Sequence, residues 1–237
     1  MKEQEIVYKA GDAVLTGVLV DGSNGARAPG VLVAHEAPGR DGRMTHWARK
    51  LAEKGYVALA LDLYGEPFSV EAAMPRYQAI MTAPGLMLAR ATAALETLAA
   101  QSNVDHSKLA ALGFCMGGIV AAELARAGSP IRCGIGFHPG LVRPAGSPDG
   151  PINAKILMMI GDEDPVVPPE NRAAFAAEMN AKGADWQLHV FGGVRHGYTN
   201  PAADSLGIPG FGYSATAERR SWAMAVSLLD EVFQPVE

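Results

Sequence analysis

The sequence predicts an α/β fold in which a mostly parallel, twisted sheet carries helices on both faces. Of its 237 residues 49% are hydrophobic and 19% are charged, which is apolar enough to bury roughly 70% of the unfolded surface. From residue 31 onward, continuous apolar runs alternate with helical patterns, as expected for repeated strand–helix units. The 27 glycines and 16 prolines are spread along the chain, with no linker or repeat. We therefore expect a single domain over residues 1–237.

The individual elements follow from periodicity and from turn residues. Alternation at residues 14–20 predicts a half-exposed strand that pairs with residues 6–9 through a turn at Gly11-Asp12. Further strands are predicted at residues 31–34, 57–61, 109–112, 132–137, 155–160 and 186–190. Helices are predicted at residues 44–54, 84–100, 117–127, 169–182 and 218–233, the last stopped by Pro235. The segment 63–84 is too short for a large cap domain.

Charge and cysteine content exclude several classes of partner. With 20 basic and 25 acidic residues, a net charge of −5 and no basic cluster, the chain lacks a nucleic-acid footprint. Its two cysteines form no CxxC motif, which favours a reducing compartment over a disulfide framework. The N-terminus lacks an apolar signal region, and the apolar run at residues 109–122 is shorter than the ~20 residues that cross a bilayer. We expect a cytoplasmic monomer or homodimer without a membrane partner.

The run Gly113-Phe114-Cys115-Met116-Gly117-Gly118 lies between a predicted strand and a predicted helix. It has the G-x-Nuc-x-G form of a nucleophile elbow, with cysteine at the nucleophile position. A sharp turn strains the central residue, and the flanking glycines prevent a clash between strand and helix. The amide of Met116 is then placed to hold an oxyanion, and the positive end of the helix favours a thiolate.

The alternative for Cys115 is a buried structural cysteine, because free cysteines are among the most buried residues. The elbow context favours the catalytic interpretation. Cys133 lies within a predicted strand and is expected to be structural.

A thiol nucleophile needs a base, and the chain order in α/β hydrolases is nucleophile, acid, histidine. Asp162, Glu163 and Asp164 follow a predicted strand and are all candidates for the acid. His196 follows the last strand in a glycine-containing loop and is the candidate base. The spacing of histidines and acids does not fit a zinc site, and no phosphate-binding loop is present, so no metal or cofactor is predicted.

Glu36 directly follows the buried strand 31–34, where a carboxylate is costly unless it faces a site. The alternative is an ordinary loop acid. The amide of Ala37 lies where this fold supplies its second oxyanion donor. His35 and His138 also follow strands and are candidates for a pocket wall.

These motifs resemble the dienelactone hydrolases, the cysteine branch of the α/β hydrolases. The matching stretches are residues 35–39, 62–65, 113–118, 161–168 and 196–198. The resemblance implies the α/β-hydrolase fold and a Cys115–Asp164–His196 triad, and it selects Asp164 among the three acids. It also implies that Glu36 meets the resting thiol and helps to deprotonate it when substrate arrives. The oxyanion donors become the amides of Ala37 and Met116.

The resulting expectation is a hydrolase of small carboxylic esters or lactones, similar to a carboxymethylenebutenolidase, that works through an acyl-enzyme. Two other functions stay open: a non-catalytic ligand-binding protein on the same fold, and a thiol-redox protein. The expected substrate-lining aromatic residues are Tyr64, Phe114, Tyr198 and Phe211. The arginines expected to bind a substrate carboxylate are Arg76, Arg90 and Arg195.

Overall fold

A computed structural model describes residues 1–233, and its centre is one eight-stranded sheet. The strands are β1 Lys2–Ala10, β2 Ala13–Asp21, β3 Ala28–Ala34, β4 Val57–Ala60, β5 Val104–Phe114, β6 Cys133–Phe137, β7 Lys155–Gly161 and β8 Trp186–Phe191. Their order across the sheet is β1-β2-β4-β3-β5-β6-β7-β8. Strand β2 is antiparallel to both β1 and β4, and all other pairs are parallel.

Six α-helices cover the two faces of the sheet. They are α1 Gly42–Ala52, α2 Ala73–Thr82, α3 Leu86–Ala99, α4 Met116–Arg126, α5 Pro169–Ala181 and α6 Ala215–Phe233. A 3₁₀ turn at Ala203–Leu206 precedes α6. The predicted α/β-hydrolase-like fold is thereby confirmed, and no cap domain is evident within residues 1–233.

Alternate residues of the central strands feed two separate apolar cores. In β3, Val31 and Val33 pack with α1 and α6, whereas Leu32 and Ala34 pack with the core of α3, α4 and α5. This is the two-residue period of a strand that is buried on both faces.

Some helix and strand boundaries predicted from the sequence differ from those in the structure. The single helix predicted at residues 84–100 is preceded by a second helix, α2, and Gly85 separates them with a left-handed φ of 71°. Strand β5 begins at Val104, earlier than expected. The last helix begins at Ala215; Pro235, its predicted stop, lies outside the described residues, and the single domain over 1–237 stays a prediction.

The topology brings the loops that carry the site to one edge of the sheet. Strands β3, β5, β6, β7 and β8 run parallel, so the residues that follow them share the carboxyl edge. Among residues 1–233, no helix combines the length and hydropathy that a membrane span requires.

Candidate active site

Cys115 occupies a strained turn between β5 and α4. Its φ of 52° and ψ of −113° lie outside the regions that non-glycine residues normally adopt. A Cβ on Gly113 would lie 2.1 Å from the carbonyl oxygen of Gly117, and a Cβ on Gly117 would lie 2.2 Å from that of Ala34. Only glycine fits at these two positions, which explains the spacing of the elbow.

Two backbone amides stand beside Cys115 without a hydrogen-bond acceptor. Met116 is the first residue of α4, so its N–H has no intrahelical partner. Within residues 1–233, neither this N–H nor that of Ala37 donates to another group. Ala37, Cys115 and Met116 line one cavity, and the two amides are therefore available to an oxyanion there.

His196 and Asp164 form a buried pair in the same region. Nδ1 of His196 lies 2.7 Å from Oδ2 of Asp164, and both side chains are almost fully buried. The other oxygen of Asp164 accepts the N–H of Val166 at 2.8 Å. The two remaining acid candidates are exposed, and Asp162 pairs with Arg172 instead. The geometry thus joins the histidine to the acid that the family resemblance selected.

The surroundings of His196 favour its charged form. Burial works against the imidazolium, but the Cys115 sulfur and the hydrogen bond to Asp164 outweigh it, so that the pKa of His196 is raised. Its Nε2 is buried and has no hydrogen-bond partner among the described residues. The ring therefore has a donor left over for a group that enters the cavity.

His35 supports the Ala37 amide rather than the cavity wall. The N–H of Leu63 donates to its Nε2 at 3.1 Å, so Nδ1 carries the proton and donates to the carbonyl of Glu36 at 2.7 Å. Burial lowers the pKa of His35 to about 4, which keeps it neutral. Because the Glu36 carbonyl and the Ala37 N–H belong to one peptide plane, this bond fixes the direction of the free Ala37 N–H.

Tyr64 contacts the two residues that carry the free amides. It does not line the cavity, so the prediction that it would is wrong. Its hydroxyl donates to the carbonyl of Ala37 at 3.0 Å and lies 3.3 Å from the sulfur of Met116. The side chain therefore contacts both Ala37 and Met116.

Glu36 reaches the cavity, but its hydrogen-bond partner is an arginine. Nη2 of Arg43 donates to Oε2 of Glu36 at 2.5 Å, and Nε of Arg43 donates to Asp41 at 2.8 Å. No hydrogen bond joins Glu36 to Cys115 within residues 1–233. The implied contact with the resting thiol is wrong for this structure, because a charged guanidinium is a stronger partner for a carboxylate than a thiol.

The sequence did not single out Arg43, which lines the cavity. The signal that could have found it is Asp41, whose carboxylate caps α1 by accepting the N–H groups of Arg43 and Met44. That cap fixes the first turn of α1 and aims Arg43 back toward Glu36.

His138 is fully buried behind His196. It does not line the cavity, contrary to the expectation from the sequence. Its ring meets that of His196 edge-on at 5.1 Å, and its Nε2 lies 2.7 Å from Oγ1 of Thr199. Burial, followed by the charges of His196 and Arg43, lowers the pKa of His138 well below its usual value. A neutral ring here adds no second charge beside the His196 imidazolium.

Two aromatic predictions are wrong because the side chains lie in the core. Phe114 is completely buried and stacks on Trp47 and Phe137, on the sheet face opposite α4. Tyr198 is also completely buried and donates to the carbonyl of Met159 at 3.2 Å. Phe211, by contrast, lines the cavity and meets the His196 ring at 4.7 Å.

The three predicted carboxylate-binding arginines are engaged outside the cavity. Arg76 bonds Glu66 at 2.6 Å, and Arg195 bonds Asp204 at 2.7 Å. Arg90 donates to the carbonyl of Leu63. None of the three lines the cavity, so the prediction that they meet a substrate carboxylate is corrected.

The cavity itself has a volume of about 330 Å³, within the usual range for small-molecule sites. A larger depression of about 480 Å³ lies near the amino ends of β6 and β7, around Arg132 and Lys155. It holds neither cysteine nor His196. Because Cys115, His196 and the two free amides all belong to the smaller cavity, we assign the candidate site there.

Comparison with known proteins supports the same assignment. A family model described as the dienelactone hydrolase family matches residues 15–233. The chain belongs to this family. A crystal structure of a dienelactone hydrolase-like promiscuous phosphotriesterase from metagenomic libraries is similar, with 37% identity, a TM-score of 0.92 and 98% coverage of both chains.

Two curated relatives show how widely the sequence varies. An uncharacterised protein of Caenorhabditis elegans is 34% identical over 63% of this chain and 96% of its own length. A Bradyrhizobium protein described as a probable 2-oxo-3-(5-oxofuran-2-ylidene)propanoate lactonase is 27% identical over 83% of this chain and 81% of its own. Membership in this family and these neighbours identify a hydrolase.

Proposed function

We propose that this protein hydrolyses carboxylic esters or lactones through a Cys115–His196–Asp164 triad and an acyl-enzyme. The observation that carries the proposal is the shared cavity: Cys115, at a strained turn with a positive φ, lines it together with His196, which is bonded to Asp164 at 2.7 Å. A strained nucleophile, an oriented base and two free amides are the parts that acyl transfer requires.

In the first step, Sγ of Cys115 attacks the carbonyl carbon and forms a C–S bond. The carbonyl oxygen becomes an oxyanion that accepts the N–H groups of Ala37 and Met116. Each such donor contributes roughly 3 kcal/mol to stabilising the transition state. When the C–O bond breaks, Nε2 of His196 gives its proton to the leaving alkoxide, and the raised pKa of His196 keeps that proton available.

In the second step, water replaces the sulfur. Nε2 of His196 accepts a proton from the water as its oxygen attacks the thioester carbon, and the same two amides hold the new oxyanion. The C–S bond then breaks to release the carboxylic acid, and the imidazolium–thiolate pair returns. Asp164 holds the ring in one orientation throughout, as the acid of a triad does.

Two further features are part of the proposal. Both cysteines are free thiols, which fits the reducing, cytoplasmic setting that the sequence predicts. The thiol-redox alternative has less support, because Cys133 is buried at the amino end of β6 and cannot act as a nearby resolving cysteine.

The test is turnover of p-nitrophenyl butyrate by matched cysteine variants. We expect Cys115→Ala to lower kcat/KM by roughly 10³-fold or more, because the nucleophile is lost. The control is Cys133→Ala, which removes the other thiol without touching the cavity. A Cys115→Ala protein that folds normally and keeps its activity would contradict the proposal; a peroxide-sensitive wild type without esterase activity would favour the redox alternative.

A further inference from the structure

The mouth of the cavity is surrounded by an unusual concentration of exposed apolar side chains. Of the eleven large hydrophobic residues that are exposed within residues 1–233, six line this one cavity. We call them the apolar rim: Phe68, Val70, Met74, Val166, Leu206 and Ile208. Their exposed fractions run from 37% to 59%. Exposed apolar surface concentrated in this way marks a binding surface.

The apolar rim belongs to the same cavity as Cys115. Tyr77, Ile119 and Phe211 add aromatic and aliphatic surface to the lining of that cavity. The segment that carries Phe68 and Val70 is held in place by a backbone hydrogen bond, since the N–H of Ser69 donates to the carbonyl of Pro38 at 3.0 Å. A hydrophobic group attached to a carbonyl at Cys115 therefore has an apolar path to the mouth.

The charges at the cavity disfavour an anionic substrate. Arg43 is the only arginine on the cavity wall within residues 1–233, and it already binds two carboxylates, Glu36 and Asp41. These three groups sum to one negative charge. The His196 imidazolium is likewise engaged, by Asp164 and by the Cys115 sulfur. A substrate carboxylate would therefore lose its hydration here without gaining an unpaired cation, which is unfavourable.

We infer that the substrates are uncharged esters or lactones that carry an extended apolar group, which leaves the cavity along the apolar rim. This inference rests on the proposed function and narrows it to a substrate class. The occupant of the rim is the substrate itself, because the apolar surface is continuous with the cavity that contains Cys115. A second copy of the chain seated on the rim is the competing occupant, and the experiment distinguishes the two.

The first measurement uses p-nitrophenyl esters of increasing acyl length below their micellar concentrations. A fully buried methylene is worth roughly fourfold in binding, so partial burial along the rim predicts that kcat/KM rises roughly tenfold from acetate to octanoate. The second measurement compares p-nitrophenyl pentanoate with p-nitrophenyl hydrogen glutarate, which differs by a terminal carboxylate. We expect the glutarate to be slower by roughly 100-fold, because its charge must be desolvated.

Variants test which residues cause the preferences for chain length and for an uncharged substrate. Replacing two rim residues, Met74→Ser with Leu206→Ser, is expected to reduce the ratio of octanoate to acetate turnover severalfold. The matched control is Val7→Ser, an equally exposed apolar residue on β1, far along the sheet from the site; it should leave that ratio unchanged. Asp41→Asn keeps a side chain that can cap α1 but removes one of the two carboxylates bound to Arg43. We expect this variant to raise kcat/KM for the glutarate relative to that for the pentanoate.

The possible failures are distinguishable. If no ester is turned over, or turnover does not depend on Cys115, the proposed function fails and this inference fails with it. If Cys115-dependent turnover is flat with chain length, or the glutarate is the better substrate, only the inference is overturned. It is also overturned if the rim variant changes the molecular mass by sedimentation and leaves the chain-length ratio intact, since the rim then serves a second copy.

Discussion

Cys115 follows one strand of the sheet and Cys133 begins the neighbouring strand, yet the two thiols differ in burial and in the charged groups near them. Cys133 is the first residue of β6 and is completely buried, and burial raises the pKa of its thiol. Cys115 follows the last residue of β5, borders the cavity and faces a histidine whose pKa it raises. The position along a parallel strand, and not the residue type, separates a structural thiol from a candidate nucleophile.

The largest loss of activity is expected at Asp164, the acid of the proposed triad. We expect Asp164→Asn to lower kcat/KM by roughly 10³-fold, because the amide cannot hold the imidazolium in the required orientation. The neighbouring acid provides the control: Asp162 is exposed and bonded to Arg172, so Asp162→Asn should change the rate less than twofold. Equal losses in both variants would show that the buried pair has no special role.

The elbow glycines provide a stability test. Gly117→Ala places a methyl group against the carbonyl of Ala34 and should cost about 2 kcal/mol of unfolding free energy, seen as a lower Tm. Gly42→Ala is the matched control, since a Cβ there meets no atom within 4 Å. If both variants melt at the wild-type temperature, the close approach of α4 to β3 is not what requires glycine.

The electrostatic coupling of Cys115 to His196 can be measured directly. The Cys115 sulfur is the largest influence that raises the pKa of His196 against burial. In Cys115→Ala we therefore expect that pKa to fall, so that the ring loses its proton at a lower pH than in the wild type; the shift should be about 1 or more. An NMR titration of the His196 imidazole in the wild type and in the variant measures it. An unchanged titration would mean that the two groups are not coupled.

The smallest effect is expected at Arg195, which precedes His196 in sequence but is held by Asp204 outside the cavity. Arg195→Gln should change kcat/KM for neutral esters less than twofold. A loss of kcat/KM as large as that expected for Asp164→Asn would show that Arg195 acts in the active site.

Much of the fold could be predicted because its signals are local. Buried parallel strands are continuous apolar runs, and the elbow needs glycines at fixed positions, so both can be recognised in a short window of sequence. Helix α2 was missed because it buries little beyond Ile80, and a helix that is mostly exposed has no strong apolar face to predict it.

The errors at the site are all failures to predict the direction of a side chain. Phe114 precedes Cys115, but successive side chains of a strand point to opposite faces, so it enters the core beneath α1. Arg76 and Arg195 were assigned by type and position in sequence, while their partners Glu66 and Asp204 are apparent only in three dimensions. Arg43 was missed for the same reason, because its bond to Glu36 depends on how the chain turns into α1.

The most direct test of the account is mass spectrometry of a reaction quenched in acid during turnover of a slow ester. We expect the acyl group to be found as a thioester on the peptide that contains Cys115, and the peptide with Cys133 to stay unmodified. Steady turnover with no acyl group on Cys115, or with the acyl group on another residue, would contradict it.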